Sequence, residues 1–147
     1  MLALARNTVP AADFSRVNFQ EADLRNWRPN REQYDLIVTN FVLDCFDADE
    51  LAQIIPRFAD ATTSNANWLI ADFSVPESGF DRLRAALIVG GLYRFFALTT
   101  GLSARRLVSP QPWLERGGFR LERRVELDHR LLRSDWWTRR PPQNNAS

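Results

Sequence analysis

Histidine, cysteine and methionine each occur once in these 147 residues. A single cysteine, Cys45, excludes an intrachain disulfide and suits a reducing compartment. His129 and Cys45 stand far apart without ligand spacing, so no metal site is expected. An excess of one charge is missing as well. Nineteen basic against eighteen acidic side chains leave a net charge of +1, too little to gather phosphate backbones or acidic lipid, and nucleic acid is not an expected partner. No hydrophobic run reaches the roughly 18 residues of a membrane span. The most apolar window, Ala85 to Leu98, is broken by Arg94. MLALARNTVP, at the start, carries too short an apolar run for an export signal. The expectation is therefore a cytoplasmic protein with no membrane partner. Neither a Gly-x-Ser-x-Gly elbow nor a Walker-type phosphate loop occurs, which removes two common kinds of enzyme.

What is present reads as alternating strands and helices in one domain, residues 1–137, followed by a tail at 138–147 with no core-forming residues. Met1 to Asn7 resembles the end of a helix, and Arg16 to Glu21 alternates as a short strand. Tyr34 to Thr39 is a strand apolar on both faces, as in a parallel sheet covered by helices. Asp47 or Asp49 caps a helix whose Leu51, Ile54, Ile55 and Phe58 share a face, with Pro56 expected to kink it. TTSNAN reads as a polar loop before a strand at Trp68 to Phe73. A long helix is expected from about Phe80 to Thr100. Ser109 and Pro110 open a short helix that Gly117-Gly118 ends. Phe119 to Leu127 alternates as a half-exposed strand, and Asp128-His129 turns it into an antiparallel partner from Arg130 to Trp137. The pattern predicts an α/β sheet, mostly parallel, with an antiparallel strand at its end.

The run YDLIVTNFVLDCF breaks at Thr39-Asn40, where a parallel strand would leave the sheet. Ligands in open α/β sheets sit beyond such strand ends. Asn40 there either holds a ligand through its amide or satisfies its own turn. Asp44 either caps the next helix or faces the same cleft. Asp23 is ambiguous in the same way. Asp72, at the end of the following strand, either orients a substrate and accepts its proton or is a satisfied structural carboxylate. Arg105-Arg106 reads as solvated helix-end charge, and Trp136-Trp137 as packing against the sheet.

Taken in order, YDLIVTNFVLDCF, LAQIIPRF, WLIADFSVP, YRFFALTTGLSARRL and GGFRLERRVEL resemble the downstream part of a class I S-adenosylmethionine-dependent methyltransferase. The resemblance covers about Met1 to Trp137 and implies a Rossmann-like sheet ending in an antiparallel hairpin, N-terminally incomplete. It implies S-adenosyl-L-methionine as cofactor and a small-molecule methyl acceptor. Asp23 and Leu24 match the position that meets the adenine ring, Asn40 and Phe41 match the loop bordering the methionine part, and Asp72 is the candidate base. The family's Gly-x-Gly-x-Gly loop and the acidic residue that holds the ribose have no counterpart. The chain thus reads as a truncated gene model, a wrong start site or a natural remnant. With the family's strand order of 3-2-1-4-5-7-6, Tyr34 to Val38 becomes an open apolar edge. Self-association or a partner chain that completes the sheet is the expected alternative to an enzyme.

Overall fold

The computed structural model describes residues 2–74, 107–128 and 131–139. The expected helix near 80–100, Arg105-Arg106, His129 and the tail from residue 140 lie outside these. Helix α1 spans Leu2–Thr8, as the N-terminal pattern predicts, and Ala11–Arg16 forms a 3-10 turn. Strand β1, Tyr34–Asn40, is followed by helix α2, Ala48–Ala61, and strand β2, Thr62–Phe73. Helix α3, Gln111–Arg116, precedes strands β3, Phe119–Leu127, and β4, Leu132–Arg139.

The four strands form one sheet in the order β1-β2-β4-β3. The β1/β2 pair is parallel and the pairs β2/β4 and β3/β4 are antiparallel. This is the 4-5-7-6 end of the expected strand order, with the hairpin folded back so that its second strand lies beside β2.

Local chemistry accounts for most of the element boundaries. Asp47 caps α2 in a capping box: its carboxylate accepts from Glu50 N, and the Glu50 carboxylate accepts from Asp47 N at 3.0 Å. The sequence allowed Asp44 as the cap; the structure gives that place to Asp47, three residues before the glutamate a capping box requires. The helix continues through Pro56 and buries Leu51, Ile54 and Ile55. Around them lie Leu43, Phe46, Trp68, Ile70, Leu114, Phe119 and Trp137 in a single core. Trp68 is central, with Phe58 at 5.8 Å and Phe119 at 5.6 Å between ring centroids. Gly118, at φ 84, supplies the left-handed turn between α3 and β3 that glycine adopts without steric cost.

Four expectations are corrected. Arg16 to Glu21 is not a strand. Val17 is extended, at φ −116 and ψ 124, but no neighbouring strand pairs with it among the described residues. Its alternation is met by Phe19 under the Arg6 guanidinium, 5.5 Å from the ring. TTSNAN is not a loop: β2 begins at Thr62, whose hydroxyl donates to Ala59 O at 2.7 Å. Arg139 anchors that start by donating to Ala59 O at 2.6 Å and Thr62 O at 3.1 Å. The same contacts extend β4 two residues past Trp137. Finally, α3 starts at Gln111 with Pro110 as its N-cap residue, and Ser109 Oγ accepts from Gln111 N at 3.4 Å.

Both α2 and α3 meet the sheet on the face that holds Trp68, Trp137 and Thr39. On the opposite face, Leu36 and Val38 are 51% and 52% exposed, with Leu69 and Trp136 beside them also exposed. Cover on both faces of Tyr34 to Thr39 is therefore not seen among the described residues.

Candidate functional site

The break at Thr39-Asn40 follows from two local demands. Thr39 is buried because its Oγ1 accepts the indole N–H of Trp68 at 3.1 Å, a bond that an aliphatic residue would leave unmade. Asn40 then ends β1, exposed, opposite Ala71 of β2. Its side chain has no hydrogen-bond partner among the described residues.

Phe41 follows in the left-handed region, at φ 54. Its amide donates to Ala71 O at 2.7 Å, and its ring tilts against Phe73 with centroids 5.1 Å apart. The next amide, Val42 N, donates to Asp72 Oδ1 at 3.3 Å. The turn 40–42 is thereby fastened to the end of β2 at two successive residues. A short 3-10 turn, Leu43–Cys45, then buries Leu43 and Asp44.

Asp72 is 3% exposed. Burial first, and then the charge of Asp44, push its carboxyl up to about 7, while the Val42 amide and Arg133 oppose the shift. Burial also raises Asp44, against a hydrogen bond from Cys45. The Cys45 thiol, pushed up to about 11 by burial and by both carboxylates, is a neutral donor here and not a nucleophile.

The loop that carries Asp23 and Leu24 reaches this region through Arg25. The Arg25 guanidinium bonds Glu50 at 2.6 Å and lies 5.2 Å from the Phe46 ring centroid. Arg57 holds the same loop by donating to Arg25 O at 2.9 Å and Trp27 O at 3.1 Å. Leu24 packs against the core that includes Leu43 and Phe46. Asp23 accepts from Arg25 N at 3.0 Å, and its main-chain oxygen accepts from Asn26 N and Trp27 N. Part of its carboxylate thus serves its own turn.

The structure fastens the turn of Asn40 and Phe41 to Asp72 and Ala71 at the end of β2 and holds the loop of Asp23 and Leu24 against Glu50, Phe46 and the core. Sequence reasoning missed Phe73 and Arg133. Phe73 had a signal, since it stands next to Asp72 at the end of WLIADF; Arg133 faces Asp72 only because of the β2/β4 register. Trp137 packs in the core as expected, while exposed Trp136 donates to Asn67 Oδ1 at 2.8 Å. No cluster of metal-ligating side chains occurs among the described residues. No helix among them is long and apolar enough to cross a membrane.

No family model and no curated protein matches this sequence. Solved structures do share its fold. A S-adenosylmethionine-dependent methyltransferase from Mesorhizobium loti superposes with a TM-score of 0.67 at 18% identity, covering 95% of this chain and 76% of that one. The mitomycin 7-O-methyltransferase MmcR gives 0.63 at 20% identity, over 94% of this chain and 39% of its own. LepI, in complex with SAM, gives 0.64 at 15% identity, over 95% of this chain and 34% of its own. The chain shares the fold of part of these proteins, and it spans well under half the length of MmcR and LepI.

Proposed function

We propose that this chain carries part of the cofactor site of an enzyme that transfers a methyl group from S-adenosyl-L-methionine to a small-molecule acceptor. The observation that carries this reading is the turn at the end of β1. In a sheet of methyltransferase architecture, exposed Asn40 and left-handed Phe41 stand where an open α/β sheet receives its ligand. Asn40 offers an amide donor and acceptor to the amino-acid end of the cofactor, and Phe41 offers a ring edge beside the sulfonium. Leu24 is proposed to meet the adenine ring, with Asp23 at its rim.

Methyl transfer needs in-line placement of sulfonium, methyl and acceptor, so holding the cofactor in position supplies much of the rate. Asp72 was expected to accept a proton from the acceptor. Its 3% exposure supports a part behind the turn instead of direct contact with substrate.

Isothermal titration of S-adenosylmethionine into the purified chain tests the proposal. Binding that weakens at least about tenfold in Asn40→Ala, the loss of roughly one good polar contact, is the expected result. No heat from the unmodified chain would overturn the reading for this polypeptide.

A second reading, an interaction subunit whose sheet is completed by another chain, is favoured by one observation. No strand pairs with the outer side of β1 among the described residues, and such an edge accepts a strand from another polypeptide. Sedimentation of the chain alone across concentrations separates the readings: a monomer at all concentrations removes self-completion.

A further inference from the structure

A bulky aromatic residue seldom rests in left-handed backbone, and something must hold it there. At Phe41, φ 54, two bonds into β2 do so. The first, from Phe41 N to Ala71 O at 2.7 Å, uses main chain on both sides and would form with any residue at position 71. The second, from Val42 N to Asp72 Oδ1 at 3.3 Å, needs an accepting side chain at position 72.

A carboxyl is a costly group in that place. It is 3% exposed and faces buried Asp44 from the turn after β1, the Cys45 thiol, and Arg133 from β4. Arg133 is shared, since its Nε lies 3.1 Å from Asp135 Oδ2. Burial and a like charge both work against an ionised Asp72, and the amides of the turn work for it. The side chain is therefore committed to the turn and not to solvent.

We infer that Asp72 is a positioning residue: by receiving the Val42 amide it locks the left-handed turn at Phe41, and so sets where Asn40 and Phe41 stand at the end of the sheet. The consequence for function rests on the reading of that turn as the border of the cofactor's methionine end. The lock itself does not depend on that reading.

The test uses the full chain labelled with 15N. Hydrogen exchange at Val42 N and calorimetric binding of S-adenosylhomocysteine are measured for the unmodified protein, Asp72→Ala and Asp72→Asn. Asp72→Ala is expected to speed Val42 exchange and weaken binding, each by at least about tenfold, the equivalent of one lost hydrogen bond. Asp72→Asn keeps an accepting oxygen and is expected to stay within about threefold on both measures, a rescue that a space-filling role alone would not single out. The Phe41 amide, bonded to main chain, stays protected in Asp72→Asn. Should Asp72→Ala fail to fold, Asp72→Thr takes its place, since threonine suits a strand but shortens the acceptor.

Unchanged exchange at Val42 in the truncated variant overturns the lock. Faster exchange with unchanged binding overturns its importance for the cofactor. An unmodified chain that binds no S-adenosylhomocysteine sinks the cofactor reading, and the exchange result then decides the lock by itself.

Discussion

At the scale of single residues, Asp72 carries the clearest pH signature. Folding raises its carboxyl from 3.8 to about 7, so ionisation opposes the folded state. The stability that goes with the protonated form is complete below about pH 4 and is lost as pH rises through about 7. Urea unfolding at about pH 4.5 and pH 8 is expected to show the unmodified chain losing roughly 2 to 4 kcal/mol more than Asp72→Asn, at about 1.4 kcal/mol per pKa unit. Equal losses in both would show that Asp72 does not titrate near neutrality. Much at this scale was legible in the sequence. The polar break at Thr39-Asn40 marked the strand end. The partner of Asp72 was not legible, because the bond from Val42 joins residues thirty positions apart and exists only in the β1/β2 register. Nor could the run show that Thr39 answers the Trp68 indole.

The elements themselves stand on local signals, and two of these can be removed cleanly. Asp47→Ala takes away the carboxylate of the α2 capping box and is expected to cost about 1 kcal/mol, read as a lower urea midpoint with unchanged slope. Gly118→Ala forces a Cβ into backbone at φ 84, with the nearest outside atom, Arg139 Nε, at 3.8 Å. Space is available there, so the loss of roughly 1 kcal/mol comes from conformation alone. Gly117→Ala differs in kind, since its Cβ would come within 3.1 Å of Ala59 Cβ and press α3 away from α2. Such signals explain why α2, β1, β3 and β4 were readable: caps, glycines and alternation lie within a few residues of what they specify. Thr62 to Asn67 misled because its polar composition suits a loop, whereas its strand conformation is set from a distance by Arg139 and by β1. Arg16 to Glu21 misled in the opposite sense, with a strand's alternation and no neighbour to pair with among the described residues.

At the scale of the molecule, β1 lies at one edge of the sheet among the described residues. YDLIVTN has no lysine or proline to discourage pairing, and only Asp35 brings charge to it. Leu36→Lys and Val38→Lys place a charge on positions already half-exposed, so stability should change by under about 0.5 kcal/mol. Self-association of the unmodified chain, if sedimentation detects it, should fall in both variants; retention would place the contact elsewhere. The strand order was legible only through the family resemblance, since composition and periodicity say nothing of which strands are neighbours. That order has a consequence for synthesis. β4 is the last of the described strands to be made, yet it lies between β2 and β3, and Arg139 fastens it to Ala59, 80 residues earlier. Until β4 has cleared the ribosome, β2 and β3 each present an unpaired side, and the core lacks Trp137. Loss of Leu132–Arg139 would therefore be far more damaging than loss of an edge strand of the same length, because it removes the middle of the sheet and not its end.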